Sequence, residues 1–415
     1  MMTWFSRFAF AVLWVFVCSI PSEKIVDVPG FGTFSKLIGF VAMSVGVLAV
    51  LMERRVRVPT AFHTAMAVYM TWTAFTVRWT MSTDWTSFRL NTFLQLFFMV
   101  LLIFQLTDTE RRVHALLNAY VIGTFVPVVG TVSHYLSGHM SYYQRYSLSN
   151  TEPNDLAVTL ALSLPISYYL FLQAKGAVRL VYVVQMLTVC VNVLLTASRA
   201  GSVAMLVGLS ILLWTSGELT SRMRAGVVAV TCLLALGIFA LVPVTSWNRL
   251  ATLGSEVTAG TLNSRTLIWQ AGWENFARKS FLGVGAGAFP ESVAYLFGRP
   301  RFVNDFTPVA HNTFLSVLVE TGVIGFSCFA FMLAILVSFA WGMPGLRKPV
   351  WLTILAVWGL AVMSLTWEDR KPTWFIFGVL AAHHAVMKKM PAAVERYRAQ
   401  LTSQATSGRW EEAVS

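Results

Sequence analysis

Six cations and one histidine stand out from an otherwise apolar chain. Arg249, Arg265, Arg278, Lys279, Arg299 and Arg301 fall in the polar stretch from Thr245 to Ala310, and His311 with Asn312 follows where the next apolar run opens. Guanidinium forks grip phosphate oxygens bidentately, so a basic pocket beside one histidine suits a diphosphate substrate. At the start of a helix the positive dipole end disfavours imidazolium, which keeps His311 neutral and able to act as a general base. The alternative is a histidine that caps the helix. Asn312 reads either as a ring-orienting or sugar-binding group or as a cap. Arg199, in Leu195-Thr196-Ala197-Ser198-Arg199-Ala200-Gly201, and Arg145, ahead of Glu152-Pro153-Asn154-Asp155, are expected at the same face. Each alone reads as an interfacial anchor or salt-bridge partner, but arginines converging on one face favour phosphate binding.

The elements that must position these groups are membrane spans. Of the 415 residues 56% are hydrophobic and 12% charged, and mean hydropathy is +0.65, values that exclude a soluble domain. The fold class expected is an all-α polytopic membrane protein. Runs near bilayer length fall at about 4–20, 34–52, 60–77, 88–106, 113–136, 155–173, 180–198, 200–214, 225–243, 311–341, 350–366 and 373–387, giving about twelve spans. The seventh and eighth nearly touch at Ser198-Arg199-Ala200-Gly201, so a tight turn is needed there and eleven spans is the competing count. The run Trp4 to Ile20 lacks a small-x-small cleavage site before Pro21 and is read as a span. Lys and Arg in the short loops (Arg54, Arg55, Arg111, Arg112, Arg347, Lys348) place both termini on the cytoplasmic side. One transmembrane domain, 1–387, then carries a periplasmic loop, 245–310, between spans nine and ten, followed by a cytoplasmic tail, 388–415, expected as a short helix and disorder.

Within the loop, Asn263 to Phe276 has helical spacing, with Arg265, Ile268, Trp269, Gly272 and Phe276 along one face. It reads as a short interfacial helix with its Trp residues in the headgroup layer. Gly283-Val284-Gly285-Ala286-Gly287 has neither the preceding strand nor the Lys-Ser/Thr ending of a P-loop and reads as a tight turn. Glu320, nine residues beyond His311, reads as a helix tie. Cys18, Cys190, Cys232 and Cys328 lie in apolar runs without metal-ligand spacing and read as small buried hydrophobes.

These motifs in their order resemble the bacterial O-antigen ligase and polymerase superfamily. The resemblance is carried by Arg145 with Glu152-Pro153-Asn154-Asp155-Leu156-Ala157, Thr196-Ala197-Ser198-Arg199-Ala200-Gly201, Asn263-Ser264-Arg265 with Trp269, Gly283-Val284-Gly285, and His311-Asn312-Thr313-Phe314-Leu315 followed by Glu320-Thr321-Gly322-Val323-Ile324-Gly325. It runs from about 145 to 330, and Ala197 stands where the family commonly has Gly. The span count and single dominant loop are most similar to the O-antigen ligase branch. The resemblance implies an inverting glycosyltransferase that moves O-antigen polysaccharide from undecaprenyl diphosphate to a sugar hydroxyl of lipid A-core, at the periplasmic face of the bacterial inner membrane. It implies no metal, cofactor or nucleic acid. Arg199 and Arg265 would hold the diphosphate and His311 would take the acceptor proton, with Arg145, Arg249, Asn312 and Trp269 as substrate-binding candidates. A polymerase of the same superfamily, a protein O-glycosyltransferase and a lipid-linked glycan transporter are the alternatives.

Overall fold

The computed structural model describes residues 4–25, 27–30, 32–54, 56–140, 145–148, 150–218, 221, 224–229, 231–232, 236, 244, 246–247, 265–297 and 308–406. Helices dominate, apart from a two-residue antiparallel ribbon pairing Asp27 with Thr33 and Val28 with Gly32. In chain order the longer helices are α1 (Trp4–Ser19), α2 (Phe34–Glu53), α3 (Ala61–Phe75), α4 (Thr83–Leu106), α5 (Glu110–Gly123), α6 (Phe125–Leu136), α7 (Pro153–Ala161), α8 (Ser163–Gln173), α9 (Val178–Leu195) and α10 (Arg199–Trp214). After them come α11 (Arg265–Arg278), α12 (Phe289–Val293), α13 (Thr313–Trp341), α14 (Arg347–Ala361) and α15 (Lys371–Thr406).

Among the described residues seven segments are long and apolar enough to cross a membrane, and α10 is a shorter apolar helix. Two of the seven are helix pairs, α5 with α6 and α7 with α8, bent where the sequence suggested single spans. Helices also stand at the other expected spans, α3, α14 and α15, whereas the expected ninth, 225–243, falls largely outside the described residues. Leu51, Val129, Leu180, Leu206 and Phe331 are all more than 60% exposed. Apolar surface spread over so many helices suits lipid, not water.

Contacts between connecting segments sort into two ends of the bundle. At one, Lys24 pairs with Asp155 at 3.4 Å, Lys371 with Glu23, and the Trp79 indole donates to the Leu282 carbonyl at 3.1 Å. At the other, Arg57 donates to the Thr107 carbonyl at 2.6 Å, Arg347 pairs with Glu110, and Trp351 donates to His383 at 2.9 Å. Alternating hydropathy along the chain puts the same loops together, so the arginine-bearing motifs and the histidine share the first end.

Helix α13 breaks at Gly322, with φ 66° and ψ −173°, a region open essentially to glycine alone. The Gly283–Gly287 segment fills the break: Val284 and Gly285 amides donate to the carbonyls of Val319 and Glu320, each at 2.9 Å, and Val323 donates to Ser280 at 2.8 Å. The glycine run is therefore a strap across a broken helix, where the sequence suggested only a turn. A Cβ at Gly322 would overlap the Phe281 carbonyl, and one at Gly283 the Glu320 carbonyl. Gly322→Ala is expected to destabilise the protein by on the order of 3 kcal/mol, read as an earlier thermal unfolding transition in detergent.

Three further expectations change. Cys190 is buried, but Cys18 and Cys328 are half-buried and Cys232 is exposed, because their helices present those faces outward. The tail is no short helix, since α15 continues without interruption to Thr406. Helix α13 starts at Thr313, so His311 lies just outside it instead of in its first turn.

Candidate active site

The turn between α9 and α10 presents Arg199. Helix α9 ends at Leu195, Ala197 takes a left-handed φ of 47°, and Ser198 caps the next helix by accepting from the Gly201 amide at 3.1 Å. Reversal within three residues needs that left-handed position, which accounts for glycine being common there in the family. Ala197→Gly is expected to stabilise the protein by about 0.5–1 kcal/mol, the relief of left-handed strain less the added freedom of the unfolded chain. A raised unfolding temperature is the measurement.

Arg145 is 4% exposed and braces this turn from below. Its Nε donates to the Thr196 carbonyl at 2.7 Å and its Nη2 to Asn154 Oδ1 at 2.8 Å. The Ser198 hydroxyl donates to the same Asn154 oxygen at 2.8 Å, and the Asn154 amide donates to Glu152. Pro153 at the first turn of α7 and Glu152 as its N-cap set the segment's course. Burial, with Asp155 next, raises the Glu152 carboxyl above its ordinary value.

Arg265 opens α11, whose buried side is Ile268, Ala271, Gly272 and Asn275. Trp269 and Phe276 pack half-buried against that cluster, while Trp273 is 54% exposed. The expected face is thus the packed one, and Trp269 turns inward instead of toward headgroups. Its indole donates to the Ala310 carbonyl at 2.8 Å and fixes the residue before His311. Burial first, and Arg199 beside it, lower the Arg265 guanidinium from its ordinary value, while Glu152 acts in the opposite sense. Two arginines from separate elements, α10 and α11, are therefore near enough for their charges to act on each other.

His311 is left-handed, with φ 47°, and Asn312 caps α13 by accepting from the Leu315 amide at 3.1 Å. Of the two readings of Asn312, the cap is the one its oxygen performs. Strained non-glycine backbone collects at functional sites, and here it carries a half-buried imidazole. Burial, then Arg265, pushes the ring down to about 4, against the opposing pull of Asp155. The ring is neutral near pH 7, and a guanidinium and a carboxylate act on it in opposite senses.

Arg145, Arg199, Arg265 and His311 thus come together with Trp269 and Asn312 as supports. Arg278 and Lys279, at the far end of α11, are exposed. Arg249, Arg299 and Arg301 lie outside the described residues. Residues 184–330 match the family model described as O-antigen ligase. That region belongs to the O-antigen ligase and polymerase superfamily. The matched stretch includes the Arg199 turn, Arg265, the glycine strap, His311 and Glu320, while Arg145 and the Glu152–Asp155 segment lie before it. No curated protein matches the chain. Membership implies ligase- or polymerase-like activity on lipid-linked polysaccharide in a membrane.

Glu320 ties elements together, as expected: its carboxylate accepts from the Gly287 amide at 2.7 Å and lies 3.7 Å from Arg89. Arg89 also pairs with Glu368 at 2.6 Å. Sequence reasoning missed this clamp and assigned no role to Asp155 or to Trp367-Glu368-Asp369-Arg370-Lys371. The available signal was a charged run between two apolar spans at the arginine-bearing end.

Proposed function

We propose that the chain is an inverting, metal-independent glycosyltransferase, an O-antigen ligase. It has about twelve spans, cytoplasmic termini and a site at the periplasmic face of the inner membrane. It moves O-antigen polysaccharide from undecaprenyl diphosphate to a hydroxyl of lipid A-core. What supports the reading is His311, a half-buried left-handed residue just before α13 that is neutral near pH 7 and on which Arg265 and Asp155 both act, with Arg199 acting in turn on Arg265.

Arg199 and Arg265 hold the two phosphates and offset the charge that develops as the anomeric C–O bond breaks. The acceptor oxygen attacks that carbon from the opposite face while His311 Nδ1 or Nε2 takes its proton. The new glycosidic bond, undecaprenyl diphosphate and a protonated His311 balance the step. An imidazole at about 4 is a weak base. Bound diphosphate offsets Arg265 and raises it when the proton must be taken. Arg145, Trp269 and Asn312 serve by holding Arg199 and His311 in place.

The test is reconstitution of the purified chain with undecaprenyl-diphosphate glycan and lipid A-core. Product is expected at undiminished rate with excess chelator, since guanidinium groups supply the charge a cation supplies elsewhere. Dependence on divalent metal would overturn the mechanism. Product formed only with a second lipid-linked glycan would make the chain a polymerase.

A further inference from the structure

One buried arginine away from the candidate catalytic groups gathers carboxylates from the segments that carry them. Arg89 of α4 is 9% exposed, and Glu320 and Glu368 are 2% and 1% exposed. Arg89 Nη1 donates to Glu368 Oε1 at 2.6 Å, Nη2 lies 3.7 Å from Glu320 Oε1, and Nε lies 4.0 Å from Asp369 Oδ2. The Ser316 hydroxyl donates to the same Glu368 oxygen at 2.9 Å. Glu368 Oε2 is buried with no hydrogen-bond partner among the described residues, so Arg89 and Ser316 hold this carboxylate through one oxygen.

Each of the two glutamates leads to part of the site. Glu320 Oε2 accepts from the Gly287 amide in the strap, and a Cβ at Gly287 would come within 3.0 Å of the Arg89 Cβ. The strap joins α11 to α12, and those helices are tied by the Asn275 amide donating to the Ser292 carbonyl at 2.9 Å, so Arg265 rides on this unit. Glu368 lies in the loop that grips the histidine segment: the Thr313 amide donates to the Val362 carbonyl at 2.9 Å, and the Trp367 amide donates to the Thr313 hydroxyl at 2.8 Å. From the same loop the Trp367 indole donates to Asp155 at 2.8 Å, next to Asn154, whose oxygen accepts from the Ser198 hydroxyl in the Arg199 turn.

The segments bearing Arg199, Arg265 and His311 therefore meet through Glu320 and Glu368, and Arg89 is the cation between those two acids. A guanidinium offers its donors in a fixed plane, so the separation of the two carboxylates is set by one rigid group. Without it, buried carboxylates lose their counter-charge and repel. The strap and the loop would then part, and a misplacement of about 1 Å far from the chemistry can cost about 10²-fold in rate.

We propose that Arg89 is a positioning residue for the transfer: by pairing with Glu320 and Glu368 it fixes the strap behind α11 against the loop that grips the histidine segment, and so sets the spacing of Arg199, Arg265 and His311. It acts through the two carboxylates and not on the substrate. The effect on turnover rests on the glycosyltransferase reading, whereas the spacing itself does not.

The experiment uses the full chain in lipid nanodiscs with undecaprenyl-diphosphate glycan and lipid A-core. Turnover is taken per site titrated with undecaprenyl diphosphate, so that lost fold is not read as lost rate. Arg89→Lys keeps the charge but not the fork, and is expected to lower kcat on the order of 10- to 100-fold with both KM values within about twofold of wild type. Glu368→Gln is expected to do the same, and combining the two loses no more than the worse single variant, because both act through one contact. Spin labels on unnatural residues at Gln270 of α11 and at Met363 beside Val362, both exposed, read the spacing without transfer. Wild type is expected to give one narrow distance distribution and Arg89→Lys a broadened or shifted one.

An unchanged kcat per site in both single variants, or a loss confined to the unfolding temperature, would overturn the positioning role and leave the transferase. So would a raised KM at unchanged kcat, which means that Arg89 serves binding, or a strictly multiplicative loss in the double variant. A distance distribution unchanged in Arg89→Lys overturns it whatever the rate. Absence of transfer in wild type sinks the transferase instead, and the distance distribution then decides the spacing alone. If Arg89→Lys fails to fold, Glu368→Gln carries both readouts.

Discussion

His311→Ala is expected to lower kcat by about 10²- to 10⁴-fold, the range of a lost general base, with undecaprenyl-diphosphate glycan bound as before. Arg265 and Asp155 both act on the ring, and Ala310, just before it, is pinned by the Trp269 indole. The pH profile separates a base from a structural histidine. His311 must be neutral to accept a proton, so activity is lost as pH falls through its pKa. In the free enzyme that value is about 4, so kcat/KM holds from pH 8 to 6 and declines only on approach to that value. Donor phosphates offset Arg265, so the acid limb of kcat lies at higher pH than that of kcat/KM. Burial is the larger cause of the lowered ring and stays, but Arg265→Gln removes the charge that adds to it and moves the kcat/KM limb upward. Undiminished kcat in His311→Ala, or a limb unmoved by Arg265→Gln, would remove His311 as the base.

Arg199→Lys and Arg265→Lys are each expected to lower kcat/KM for the donor by about 10²- to 10³-fold, although charge is kept. Lysine cannot reproduce the two parallel hydrogen bonds of a guanidinium on phosphate. The two residues come from α10 and α11, elements far apart in sequence whose charges nonetheless act on each other. If both grip one diphosphate their effects are not independent, and the double variant loses less than the product of the single losses. A strictly multiplicative loss, measured with saturating acceptor, would mean that they serve different groups.

Much of this was legible beforehand because bilayer physics writes itself plainly into sequence. Unpaired backbone is so costly in lipid that spans must be long apolar helices, and their positions follow from hydropathy. The charged loops sort by parity of crossing, which put Arg145, Arg199, Arg265 and His311 on one face. Helix α11 was readable from the spacing of Ile268, Trp269 and Gly272, but its orientation was not. Trp273 and Trp269 look alike in a helical pattern, and only packing against Phe289 and Leu315 turns Trp269 inward.

The sequence by itself determined the membrane class and the resemblance that the family model matches over residues 184–330. Tertiary structure alone decided that the glycine run straps a broken α13, that His311 stands before the helix in a left-handed turn, and that Asp155 opposes Arg265 in its effect on that ring. Hydropathy and charge periodicity are local properties of a chain, whereas the strap and the approach of Asp155 join segments that are separate in sequence. Their energies depend on burial and on partners that no local window contains. For the same reason Trp367 and Arg370 went unread until α15 and the loop before it were folded against Asp155.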